Sequence, residues 1–149
     1  MFLRHYCIHL AGPDHAVGLP AFPADARAAR GLNGDLAQHL QRWQDQLQSG
    51  ATQAEVLGVR IARKTLLAVA GLVSVHDRIW TTSRALGARR WSEIEPELRP
   101  ELALMESWMN ASDRATRNDL GSVLDTRGFM PTIVARFNDL IGLWADPEG

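Results

Sequence analysis

A single cysteine in 149 residues leaves nothing for an intramolecular disulfide and too few thiolates for a zinc site of the Cys-rich kind. That scarcity fits a reducing compartment, and the cytoplasm is the expected location. No apolar run approaches the ~18 residues of a membrane span, and the start lacks the basic-then-apolar order of a secretory signal. Neither sign of charge dominates, with 16 Lys and Arg against 17 Asp and Glu. No global field therefore draws the chain to nucleic acid or to an acidic membrane, and any charge-based function is local. Internal repeats, low-complexity tracts and sustained heptads are also missing, which excludes solenoids and coiled coils.

What is present is apolar and periodic. At 46% hydrophobic residues, the chain can bury one core but is small for two. One helical domain is expected over residues 1–149. Residues 1–32 read as an extended segment and a Pro/Gly-rich lead-in, punctuated by Gly12, Pro13, Gly18, Pro20, Pro23 and Gly31. Residues 33–149 read as an all-α bundle of about five to six helices. Leu36, Leu40, Trp43 and Leu47 keep helical spacing, with Asn33 able to cap the helix that carries them. Thr52 and Glu55 have the spacing of a capping box and announce a long helix running to about Trp80. Its middle, "LLAVAGLVSV", is apolar on nearly every side and predicts a central buried rod.

After "TTS", Thr81 to Ser83, a short helix "RALGARRW" leads to a second capping-box spacing at Ser92 and Glu95. Three helices follow. They are "ELRPELALMESWMN", one opened by Asp113, and "PTIVARFNDLIGLW" with Pro131 in its first turn and Ile133, Phe137, Leu140, Ile141 and Trp144 on one face. Trp43 and Trp144 read as core, whereas Trp80 and Trp91 stand near cationic residues where an indole can stack on a flat ring.

Strand signal is confined to "MFLRHYCIHL", where alternation sets His5, Cys7 and His9 on one face. Three candidate ligands on one face suit a metal, but no fourth ligand is near, so a strand face is the expectation. Arg4 and His9 also have the R-x4-H spacing that resembles the motif of helical HEPN ribonucleases, in a strand-like rather than helical setting.

Two basic groups stand out further on. Arg60, Arg63 and Lys64 share a helix face, and Ser83 with Arg84 opens the short helix. Cations beside unpaired helix N–H groups suit phosphates, although such residues are ordinarily a solvated face paired with carboxylates. Asp77, Glu93, Glu106, Asp113 and Asp119 are carboxylates available to a cationic acceptor.

The order of these features resembles the C-terminal helical domain of aminoglycoside adenylyltransferase-like nucleotidyltransferases over about residues 3 to 110. The carriers are "HLAGPDH", the Pro-rich stretch and "RIARKTLLAVAGLVSVHDRIWTTSRALGARRW". In that family a Leu-x-Gly-Pro-Asp segment marks the exit from the catalytic domain, and a long apolar helix leads to a Ser/Thr-Lys element closed by Ala and Trp. Here Ser83, Arg84, Ala88 and Trp91 stand in that element, with arginine for lysine. The resemblance implies a transferase domain with Arg84 and Ser83 at the nucleotide; the basic face adds Arg60 and Lys64 as nucleotide-binding candidates, and Trp80, Asp77 and Trp91 are the candidates for a small-molecule substrate.

The family's catalytic half needs a Gly-Ser turn followed by closely spaced aspartates that hold two metal ions. No such pair exists in this chain. Glu93 and Glu95 have the spacing but no Gly-Ser strand before them, and Gly121-Ser122 is followed by a lone Asp125. The chain alone is therefore expected to have no catalytic residues and no resident cofactor or metal, with ATP and magnesium entering only with a catalytic domain in cis or trans. The other reading is a stand-alone helical interaction or small-ligand-binding module, self-associating as a dimer.

Overall fold

The computed structural model describes residues 10–15, 17–20 and 23–145. The expected strand face of His5, Cys7 and His9 and the Arg4 to His9 spacing lie outside the described residues. Within them the chain is all-α: α1 (Ala26–Asn33), α2 (Leu36–Ser49), α3 (Ala54–Asp77), α4 (Arg84–Ile94), a 3-10 turn (Pro96–Leu98), α5 (Arg99–Met109), α6 (Arg117–Leu124) and α7 (Phe129–Leu140). None of these helices is long and apolar enough to cross a membrane.

The apolar rod is α3. Leu57, Ile61, Leu66, Ala68, Val69 and Leu72 are wholly buried, and α3 touches each of the other six α-helices. At roughly 1.5–3 kcal/mol for each large aliphatic side chain removed from water, this one element organises the core. Trp43 of α2, Trp91 of α4, Met105 and Trp108 of α5, and Ile133 and Phe137 of α7 close around it.

The helix ends depart from the spacing-based expectations, each for a local reason. Helix α1 lies inside the stretch read as a lead-in. Its run from Ala26 to Asn33 contains no proline and is rich in alanine and arginine, and the Asp25 carboxylate accepts from the Ala28 N–H at 2.8 Å. Asn33 closes α1 as a buried residue and does not cap α2. Gln53, not Thr52, precedes α3, which places Glu55 one position too early to close a capping box; Glu55 pairs with Arg114 at 3.3 Å instead. Ser92 stays inside α4 with its hydroxyl donating to the Arg89 carbonyl at 2.7 Å, so no box forms with Glu95.

Thr116, not Asp113, opens α6, in a capping box completed by Asp119. Helix α7 ends at Leu140, before Trp144 can join its buried face. Trp144 is 48% exposed, and its backbone N–H donates to the Gly34 carbonyl at 2.9 Å. It folds over the α1–α2 corner and is not core.

Candidate functional site

A cleft of about 440 Å³ opens where α3 ends and α4 begins. Its walls are set by three local devices. First, α3 stops because Arg78 adopts a left-handed conformation with φ 58°, and the Ile79 N–H returns to the Ser74 carbonyl at 3.1 Å. Second, the buried Ser74 hydroxyl donates to the Ala70 carbonyl at 2.7 Å and accepts from the Thr81 N–H at 2.9 Å, which ties the loop to the helix it has just left. Third, the Ser83 side chain accepts from the Leu86 N–H at 3.3 Å and starts α4.

Trp80, Thr81, Thr82 and Ser83 line the loop side of the cleft, and Leu86, Arg89, Arg90 and Glu93 line the α4 side. Asp77 contributes from the last turn of α3. Arg90 grips both Asp77 oxygens, Nε to Oδ2 at 2.9 Å and Nη2 to Oδ1 at 3.2 Å, while its Nη1 reaches Glu93 at 3.0 Å. His76 Nδ1 stands 2.8 Å from Asp77 Oδ1. Hydrogen bonds from Arg90 first, and from His76 second, lower the Asp77 carboxyl from 3.8 to about 2, and the bonds to Asp77 first and Glu93 second raise Arg90. Asp77 is therefore a fixed anion already spoken for by α4. Arg89 differs: it is 81% exposed and approaches Glu93 only at 4.0 Å, which leaves its guanidinium open to a ligand.

The residues picked out from the sequence divide into four places. Asp77, Trp80 and Ser83 meet in the cleft. Trp91 does not join them, because it is 4% exposed and its ring lies in the core, edge-on to His76 with centroids 6.2 Å apart. Its indole supports His76 and offers no face to a ligand. Arg84 turns back along α3, where its Nε donates to the Arg63 carbonyl at 3.0 Å. Arg60 and Lys64 line a separate groove between α2 and α3, and Lys64 pairs with Asp35 at 2.8 Å.

Of the five carboxylates available to an acceptor, Asp77 and Glu93 share the cleft, while Asp113 accepts from the Arg114 N–H and Asp119 closes the α6 capping box. Glu93 and Glu95 face different partners, Arg90 and Arg136. Among the described residues no group of three or more His, Cys, Asp and Glu side chains is placed to hold a metal ion.

Arg89 and Arg90 escaped the sequence reading. The Arg90 to Glu93 spacing of three was visible, but the pairing with Asp77, thirteen residues away, exists only through the packing of α4 on α3. No protein-family model, no curated protein and no solved structure matches the chain.

Proposed function

We propose that the chain is a small-ligand-binding helical domain that serves a nucleotidyltransferase of the adenylyltransferase kind, with the catalytic metals and their carboxylates supplied by another domain or chain. The observation that carries this reading is the convergence on one cleft of Asp77, Trp80 and Ser83, three residues picked out from the sequence, of which Ser83 belongs to the family-like element. The indole of Trp80 offers a flat apolar surface, three consecutive hydroxyls from Thr81 to Ser83 offer donors and acceptors, and Arg89 offers a charge. Such a set suits a flat ring carrying polar or anionic groups. Arg84 lies outside the cleft lining, with Nε on the Arg63 carbonyl, so a phosphate contact from it would use the terminal nitrogens.

The test is calorimetry with ATP and magnesium, on the chain alone and after addition of a matching catalytic domain. Binding is expected in the second case, and Arg84→Ala weakens it by roughly 1.5–3 kcal/mol if the side chain bonds a phosphate. Absence of heat in both settings sinks the proposal. A second reading, a stand-alone interaction module, draws on exposed apolar side chains: Leu86 in the cleft wall is 61% exposed, and Ile79, in the loop after α3, is 69% exposed. Self-association lost in Leu86→Ser, measured by sedimentation, supports that reading.

A further inference from the structure

The groove between α2 and α3 has a character of its own. His39, Arg42, Trp43 and Gln46 repeat on α2 at spacings of three and four, and Arg60 and Lys64 do so on α3, so six side chains face one depression of about 220 Å³. No carboxylate lines it. The nearest acid, Asp35 at the start of α2, accepts from Lys64 at 2.8 Å and stands 3.1 Å from His39. Asp45 is engaged by Gln41 at 3.1 Å. Among the described residues Arg42 and Arg60 form no ion pair, so two guanidinium groups on facing helices remain uncompensated across the groove. Burial holds the His39 imidazole below its ordinary pKa, and the charges of Lys64 and Arg42 act in the same direction against Asp35.

We infer that this groove binds a phosphate group, either inorganic phosphate or the phosphate of a small monoester, held between Arg42 and Arg60 with Lys64 behind them. Two guanidinium forks match the oxygens of a tetrahedral dianion, and Gln46 adds a neutral donor. The size and the floor favour a compact anion over a nucleobase or a nucleic-acid strand. Trp43 is only 3% exposed and is covered by the His39 ring, with centroids 5.2 Å apart and planes tilted by 36°, so it has no free face on which a base can stack. The inference does not need the nucleotidyltransferase reading: Arg60 and Lys64 are expected from the sequence to hold a nucleotide together with Ser83 and Arg84, but their groove shares no lining residue with the cleft that Ser83 lines.

The experiment is titration of the full chain with inorganic phosphate at constant ionic strength, followed by amide chemical shifts. Saturable shifts centred on residues 39–46 and 60–64 are expected in the low-millimolar range, with no matching response to chloride. Arg42→Gln and Arg60→Gln are each expected to weaken binding roughly tenfold or more, whereas Arg27→Gln on α1, which removes the same charge elsewhere, leaves it unchanged. Retained helical circular dichroism in each variant separates lost binding from lost fold. Linear shifts without saturation, shifts spread over all arginines, or equal affinity in the Arg42→Gln/Arg60→Gln double variant overturn the proposal. So does tight binding of a single-stranded oligonucleotide with no response to phosphate, which identifies a nucleic-acid surface instead.

Discussion

Gly87 of α4 rests directly on Ala70 of α3: a methyl group at Gly87 would come within 2.9 Å of the Ala70 Cα and 3.0 Å of its Cβ. Both atoms belong to or adjoin rigid helix backbone, so neither can swing aside. This contact sets how close α4 lies to α3, and with it the width of the cleft.

Gly87→Ala therefore has an unusual sign. In an open helix interior, alanine for glycine stabilises by roughly 0.5–1 kcal/mol, but here the clash reverses the effect to a loss of about 1–3 kcal/mol. Gly121 is the counterpart, lying in α6 with nothing within 4 Å of an added methyl, and Gly121→Ala is expected to stabilise by roughly 0.5–1 kcal/mol. Urea denaturation of both variants gives the comparison, and a stabilised Gly87→Ala would contradict the close contact.

Ser74→Ala removes one hydroxyl and strands the Thr81 N–H that depends on it. Leaving a buried donor unpaired costs about 1–3 kcal/mol. Faster hydrogen exchange at Thr81 is expected beyond any global loss of stability, because the loop is the part released. Equal protection of Thr81 in both proteins would show that the loop holds without the serine.

The Asp77 carboxyl, lowered to about 2, gives a defined acid response. A carboxyl with a folded pKa below its ordinary 3.8 favours the folded state when charged, so its contribution is fully present above about pH 4 and fades as pH falls through about 2. Arg90→Gln removes the chief cause of the shift and leaves His76. The Asp77 pKa, followed by carboxyl carbon resonance, is expected to rise part of the way to 3.8, and a value unchanged at about 2 would show that Arg90 is not its chief cause.

Trp80 and Trp91, eleven residues apart, are expected to separate stability from surface chemistry. Trp91→Ala empties a buried site and costs about 3–5 kcal/mol. Trp80→Ala changes the cleft wall at about 1 kcal/mol or less. Thermal denaturation of the pair that gives equal losses would argue that Trp80 is as structural as Trp91.

How far the sequence foretells the molecule depends on the range of the interaction. The buried rod was legible, because "LLAVAGLVSV" is apolar all round and only a central helix can hide it. Caps were less so. Thr52, Ser92 and Asp113 have suitable side chains, but a register one or three residues away or a continuing helix denies each the role, and neighbours from afar decide which. Helix α1 was hidden by the glycines and prolines around it. Within the cleft, Trp80 and Ser83 come together because they are close in the chain. The partner of Asp77 and the direction of Arg84 depend on how α4 lies across α3, which no local pattern encodes.

The bond from the Thr81 N–H to the Ser74 hydroxyl also acts as a ruler. Six residues, from Val75 to Trp80, must finish one helix, reverse through the left-handed Arg78 and arrive in register at a single oxygen atom. An insertion or deletion there moves Ser83 off the start of α4 and shifts every residue of the cleft. Length variation among descendants of this chain is therefore not expected between α3 and α4.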